Sequence, residues 1–593
     1  MSTLRKPALG PIVGHTTHNS CRLWIAASDA RDKESIAQDR RTIGVIGVVT
    51  KQGKEEKVLP ENISYFRLRR EYDRTGTFNL GVDISLWKDE AERAKLKPFP
   101  LQPQTEYRVR MASLNVDDAY PDDQNVSSEQ ITAKLPPAGV WADKLNMNLL
   151  EDVCAEAVFT TQPATKAKLS TSISFILGSC RYPGLLWKRK ESDRIFGPML
   201  REAKQEHLPL TKRKPVDFTL MVGDQIYADM FNRMIPIGLA DTYEEFQERY
   251  HTAFGSRNMR ALLSRVPTYM ILDDHEVEDN WTQDRVHESN SKRMLFNLAM
   301  GAYMSYQWSH GPRCEDSYVH SLPKGEGEHL KRFPTLNLFY DFACAGYPFF
   351  VLDTRTQRYQ QDAGLADNHL LGLPSLHDSE PSQLDRLCAW LIDMQRLRKN
   401  APKFIVSASV FLPNHVDERQ GDPKADANER ACLQKNQNAS DSWPAFPKTR
   451  AAILKTVVEN KIENVVFLSG DVHCSSICQM EFTGAGEGLT AYSIVSSAFY
   501  WPFAFADGDP AGFVHDSKYP RTYDEFVLPG GLGGMHYRAW SFTQDDNFCR
   551  VDVEPGTSEL VVQFFDWDGN PIETRKRNDA FTKAPERLKL AKW

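Results

Sequence analysis

The chain has 593 residues, 41% of them hydrophobic and 25% charged, with a net charge of -7. This length exceeds one ordinary core, so two or more domains are expected, and the composition is that of a globular chain with no general electrostatic reason to bind nucleic acid. No window approaches the roughly 18 apolar residues that span a bilayer, and the opening MSTLRKPALGPIVGH holds neither a signal-like apolar run nor a twin arginine, so a cytoplasmic location is expected.

In chain order, the first 165 or so residues read as all-β. SCRLWIAA (Ser20 to Ala27), TIGVIGVVT (Thr42 to Thr50) and TEYRVRMAS (Thr105 to Ser113) are short strand-like runs. In the third, Tyr107, Val109 and Met111 alternate with Arg108 and Arg110, the period-two pattern of a strand with one wet face. Polar stretches such as ASDARDKESIAQDRR and NVDDAYPDDQNVSSEQ separate the runs, and an immunoglobulin- or fibronectin-like antiparallel sandwich is expected over 1–165. The unpatterned TTQPATKAKLSTS that follows reads as a linker.

From about residue 170 to 593 the pattern changes to that of an α/β domain. SISFILG, DFTLMV, TYMIL, YPFFVL, KFIVSASV and NVVFLS are nearly continuous apolar runs, as expected of strands covered on both faces. Helical spacing precedes some of them: Leu384, Leu387, Cys388, Leu391 and Met394 repeat just before KFIVSASV, and FPKTRAAILKTVVENK precedes NVVFLS. Near the end, NFCRVDVE and ELVVQFFDWDG read as two more strands, expected at a sheet edge. The ten cysteines are scattered, and Cys474 and Cys478 have no matching second pair, so neither a disulfide framework nor a structural zinc site is expected.

Chemistry is concentrated at strand ends. SFILGSC ends at Cys180; DFTLMVGDQIYAD ends at Asp224, with Tyr227 and Asp229 following; TYMILDDHEVED ends at Asp273, Asp274 and His275; NVVFLSGDVH ends at Asp471, with His473 following. Ligand sites of open α/β sheets lie outside the carboxyl ends of their strands. Any one of these ends read alone is more often a turn, a satisfied histidine or a small core cysteine. Together they point to a metal site, because crowded carboxylates repel unless cations offset them. Carboxylates with imidazole suit Mn, Fe, Zn or Co, oxygen-rich positions suit Ca or Mg, and a thiolate with a phenolate favours a ferric ion or another strong Lewis acid.

The clusters GSC, GDQIYAD, DDHEVEDN, LDTRTQR and LSGDVH, in this order, resemble the PhoD-type alkaline phosphatase and phosphodiesterase family, within the calcineurin-like metallophosphoesterases. The resemblance runs from about residue 8 to about 570 and includes GPIVGHTTHNSCRLW and LQPQTEYRVR near the start. It implies a layered metallophosphoesterase-like β-sandwich flanked by helices, and hydrolysis of phosphomonoesters or phosphodiesters by a metal-activated hydroxide. It also implies a site of two or more metal ions, Fe3+ with Ca2+ or else Mn2+ or Zn2+. Cys180, Asp224, Tyr227 and Asp471 would hold the ferric-type ion, and Asp224 would bridge to the second. His473 matches a metal-ligand histidine, and Asp274 and His275 stand where the superfamily has an Asn-His pair that supplies a ligand and a phosphate-contacting imidazole. Asn280 and Arg355 are further candidates, for metal and for substrate. Departures are Ala228 after Tyr227, where the bacterial pattern often has Glu, and the lack of an amide side chain near Ser409. The competing reading is a metal-binding scaffold without catalysis that acts through its N-terminal β-domain.

Overall fold

The computed structural model describes residues 3–27, 42–69, 72–81, 99–115, 133–147, 152–165, 169–184, 190–230, 238–312, 337–360, 368–372, 381–421, 424–512, 514 and 525–593. Most of the two polar stretches read above as connections, residues 166–168 of the linker and Cys314 lie outside the described residues.

The N-terminal strands form two antiparallel sheets. One runs Thr3–Arg5, Glu106–Asn115, Thr42–Gln52, Glu55–Arg67, with Ala155–Thr160 also on Glu106–Asn115. The other runs Leu9–Thr16, Ser20–Ala26, Thr75–Gly81. Val109 and Met111 point inward as the alternation requires, and meet Val13, Leu23 and Ile25 of the smaller sheet. The other face of that smaller sheet is covered as well. Ile12, Trp24 and Ala26 enter a second core shared with the helices Tyr243–Phe254 and Asn290–Tyr306. The Trp24 indole donates to the Ser305 carbonyl at 2.8 Å, and Arg260 donates to the carbonyls of Pro7, Ala8 and Gly10. SCRLWIA is apolar at consecutive positions because both of its faces are buried.

Among the described residues, two larger sheets follow, with a small hairpin of Thr574–Arg575 and Phe581–Thr582 besides. The six-stranded sheet runs Thr268–Ile271, Phe218–Val222, Ile173–Gly178, Asn547–Glu554, Glu559–Asp566, Glu586–Lys589, and its first three strands are parallel. The eight-stranded sheet runs Tyr340–Cys344, Tyr347–Val351, Lys403–Ser407, Val465–Ser469, Ala491–Val495, Ser475–Phe482, Gly534–Thr543, Phe526–Val527. Tyr347–Val351, Lys403–Ser407, Val465–Ser469 and Ala491–Val495 are its parallel members.

Aromatic side chains join the two sheets. Phe175 meets Phe349 and Phe404 edge to face at 5.6 and 5.5 Å, and Phe218 meets Phe349 at 5.3 Å. Each such pair adds about 0.5–1.5 kcal/mol beyond the area it buries. The alternate residues face helices. Ile176 and Met221 pack into the core of Phe196–Lys204 and Arg257–Leu263, while Ile405 and Phe467 pack against Gln383–Arg398 and Pro447–Glu459. This double coverage is why the strands read as unbroken apolar runs.

The C-terminal strands differ from expectation. Asn547–Glu554 lies inside its sheet, antiparallel to Ile173–Gly178, with Cys549, Val551 and Val553 fully buried. The edge is Glu586–Lys589, whose charged residues suit an edge position.

Candidate metal centre

The carboxyl ends of the parallel strands Ile173–Gly178, Phe218–Val222, Thr268–Ile271 and Val465–Ser469 lead directly into the candidate residues. Tight turns bring them together. Gly223 has φ of 100°, and a Cβ there would lie 2.4 Å from the Asp273 Cβ; a Cβ on Gly470 would lie 2.3 Å from the Ser179 hydroxyl. Cys180, Asp224, Asn280, Asp471 and His473 all adopt left-handed backbone, with φ of 58°, 55°, 55°, 71° and 54°. Such conformations cost roughly 1–3 kcal/mol each away from glycine and persist only where the surroundings enforce them. Glu276 supplies one such restraint. Its carboxylate accepts the main-chain N–H groups of Asp224, Gln225 and Asp273 at 3.1, 2.7 and 2.9 Å.

Among the described residues, three donor sets have one ligand atom per residue within 4.8 Å of one another: Cys180, Asp224 and His473; Asp224, Asp274 and His275; and Asp224, Asp273, Asp274 and Asp471. Asp224 belongs to all three. Cys180 Sγ lies 3.3 Å from Asp224 Oδ2 and 3.4 Å from the Asp471 carbonyl. The Tyr227 hydroxyl lies 3.5 Å from Asp224 Oδ2 and 3.3 Å from His473 Nε2. Cys180, Asp224, Tyr227 and Asp274 are buried, while His275, Asp471 and His473 keep some exposure. Asn280 touches the cluster through its main chain, its N–H donating to Asp274 Oδ2 at 2.6 Å.

The electrostatics are those of crowded anions. Burial, then neighbouring carboxylates, push the Asp224 and Asp471 carboxyls well above their usual range. Burial, then the charges of Asp224 and Asp471, likewise raise the Cys180 thiol. Asp274 goes the other way: burial opposes ionisation, but Arg355 and His275 hold it below the usual range. Burial and the charge of His275 lower His473 to about 3, which keeps its imidazole neutral as a metal ligand requires. His275 shifts upward: burial opposes the charge, but Asp229, Asp274 and Asp224 outweigh it.

Residues beyond the expected ligands complete the centre. Asp229 Oδ1 lies 2.7 Å from His275 Nδ1, and its other oxygen accepts the Asp279 N–H at 2.6 Å. Ser497 accepts the His473 N–H at 3.0 Å and places its hydroxyl 3.2 Å from Cys180 Sγ. Arg355 is fully buried. Its guanidinium bonds Asp273, grips Asp441 through both terminal nitrogens at 2.7 and 2.8 Å, and lies 3.3 Å from Asp274 and 3.6 Å from Asp471. Arg358, equally buried, also pairs with Asp441. Ser497 follows the apolar AYSIV, so it repeats the strand-end signal of the other clusters. Asp441 lies between two helical segments with no such signal.

The donor set fits cations. Asp224, Asp273, Asp274 and Asp471 converge, and Asp273 Oδ2, though buried, has no hydrogen-bond donor among the described residues. Asp224 shares one set with the thiol of Cys180 and the imidazole of His473, and another with carboxylates alone, so hard and softer ions both find partners. Cys474 and Cys478 take no part in these sets.

The family model for the PhoD-like phosphatase matches residues 206–503. The chain belongs to the PhoD-like phosphatase family. The matched span of this family member holds Asp224, Tyr227, Asp274, His275, Asn280, Arg355, Asp471 and His473, and begins after Cys180. Alkaline phosphatase D of Bacillus subtilis (strain 168) is 24% identical over 239 residues, which is 40% of this chain and 36% of that protein. The chain therefore aligns with only about a third of that relative's length. The solved structure of PhoD aligns over 98% of this chain and 92% of that chain with a TM-score of 0.56 at 14% sequence identity, so the two share a fold. Among the described residues, no helix is long and apolar enough to cross a membrane.

Proposed function

We propose that this PhoD-like protein hydrolyses phosphate esters at the centre built around Asp224. The observation that carries the reading is the place of Asp224 in all three donor sets. One carboxylate shared by a thiol-imidazole set and an oxygen-rich set is placed to bridge two ions. Cys180, Asp224, Tyr227, Asp471 and His473 would hold one ion, a ferric ion in our reading, and Asp224 with Asp274 would hold a second divalent ion such as calcium. When bound, the ions lower the pKa of water and offset charge on phosphoryl oxygens.

The protein's own groups divide the remaining work. Asp229 holds His275 by Nδ1, which leaves Nε2 to give a proton to the leaving oxygen. The His275 ring also stacks on Tyr227, with centroids 4.2 Å apart, so its plane is fixed from two sides. Arg355, expected from the sequence as a substrate contact, is read here as an internal counter-cation that holds Asp273, Asp274, Asp441 and Asp471 in place. Asn280 contributes by fixing Asp274 through its main chain.

In this reading the two large sheets are the two layers of a metallophosphoesterase sandwich, residues 1–165 are an immunoglobulin-like β-domain and 170–593 the catalytic domain. The test is hydrolysis of bis(p-nitrophenyl) phosphate by folded protein, stripped of metal and then reloaded with iron and calcium, manganese or zinc. Metal-dependent release of p-nitrophenol is expected; no turnover with any of these ions would contradict the reading and favour a non-catalytic scaffold.

A further inference from the structure

Beside the centre is an aromatic surface that the hydrolytic reading does not use. The Trp501 ring lies nearly parallel to that of His473, 3.7 Å away at 17°. Trp501 meets Phe503 edge to face at 5.2 Å, and Tyr182 meets Trp501, Phe503 and Tyr227 at 5.3, 6.0 and 5.2 Å. The rings thus lead from a candidate metal ligand outward. At the outer end Phe503 is 52% exposed, a large apolar ring left in water next to a buried polar centre.

Hydrogen bonds anchor the inner part of this surface. The main-chain N–H of Trp501 donates to Asp546 Oδ1 at 2.8 Å, the main-chain N–H of Tyr182 to the Tyr500 carbonyl at 3.0 Å, and the Tyr182 hydroxyl to the Met230 carbonyl at 2.8 Å. Aromatic side chains most often group to fill a core. Tyr182, Tyr227 and Tyr500, with Trp501 packed against them, form a small cluster apart from the main cores; Trp501 stays partly and Phe503 largely open to solvent. The mutual spacings of the rings are those of direct packing, so there is no gap between them to enclose a cation. What they offer is an apolar wall of rings packed on one another.

We propose that Trp501 and Phe503, backed by Tyr182, are the subsite for the alcohol portion of the phosphoester, and that it selects esters whose alcohol carries a flat apolar ring. This rests on the reading that the centre hydrolyses phosphoesters. Because Trp501 stacks on His473 and Phe503 packs against Trp501, an ester substituent leaving the centre on the His473 side would run along Trp501 toward Phe503.

The test uses metal-loaded full-length protein and the 2-phenylethyl, 2-cyclohexylethyl and ethyl esters, as phosphomonoesters and as their methyl diesters, with alcohol release as the readout. These alkoxides differ little in basicity, so selectivity reports binding of the substituent. The expected kcat/KM for the phenylethyl ester exceeds that for the ethyl ester by about tenfold, the scale of one good aromatic contact with its buried area. Phe503→Ala lowers that ratio by about fivefold, and Phe503→Tyr keeps it. A ratio near one in the native protein, or a ratio unmoved by Phe503→Ala, would overturn the subsite. Equal rates for the phenyl and cyclohexyl esters would overturn the preference for a flat ring. Failure to turn over any of these esters or bis(p-nitrophenyl) phosphate would instead overturn the hydrolytic reading, and the subsite with it.

Discussion

Asp229 Oδ1 sits 2.7 Å from His275 Nδ1, and both side chains belong to buried turns at the ends of neighbouring parallel strands. A carboxylate in that position fixes the tautomer and the orientation of the ring. His275→Ala is expected to lower kcat about 100- to 10,000-fold for esters with poor leaving groups, the usual scale of a lost general acid. The loss should be much smaller for p-nitrophenyl esters, whose leaving group needs no proton. Asp229→Asn should give a weaker version of the same pattern, about 10- to 100-fold. Rate constants measured across a leaving-group series check this; equal losses for good and poor leaving groups would remove the acid role.

Arg355 is a stability determinant. Its removal leaves Asp273, Asp274, Asp441 and Asp471 without their shared guanidinium. Breaking a buried pair of this kind costs about 3–5 kcal/mol. Arg355→Met should destabilise the metal-free protein by that order in denaturant unfolding. Arg355→Lys should not restore it, because an ammonium cannot reproduce the two-pronged grip on Asp441.

The Arg355 cluster also marks the boundary of what sequence can tell. The runs FTLMV, TYMI and VVFLS were legible as strands because helices cover one face and the opposite sheet the other. Cys180, Asp224, Asp274, His275, Asp471 and His473 were legible because polar residues directly follow those runs. Asp441 was not: it reaches Arg355 across 86 positions from a connection with no periodicity. The interior place of Asn547–Glu554 was hidden for a related reason. Its pattern records how much of it is buried, while its partner, Ile173–Gly178, lies hundreds of residues earlier.

His310 sets an acid limit on stability. It is fully buried, and burial, followed by the charge of Arg22, lowers its pKa from 6.5 to about 3. Between those values the unfolded chain binds a proton that the folded chain refuses, so stability rises with pH across that window. The neutral imidazole is therefore tolerated above pH 6.5, and stability is lost progressively as pH falls from there toward 3. The contribution is on the order of a few kcal/mol. Urea unfolding of native protein and His310→Leu between pH 4 and 7 should show a flatter dependence in the variant; parallel curves would contradict this.

Tyr227 connects metal identity to colour. A ferric ion held by its phenolate predicts a purple to red-brown protein. Tyr227→Phe should lose the visible band while keeping its fold, as judged by circular dichroism. A colourless, iron-free and fully active native protein would remove iron from the account.

In the proposed mechanism Asp224 holds two ions at once. Metal content measured by mass spectrometry, on native protein and Asp224→Asn purified side by side, tests it most directly. At least two ions per native chain, and the joint loss of both in the variant, are expected. A folded Asp224→Asn protein that keeps its full metal content would contradict it.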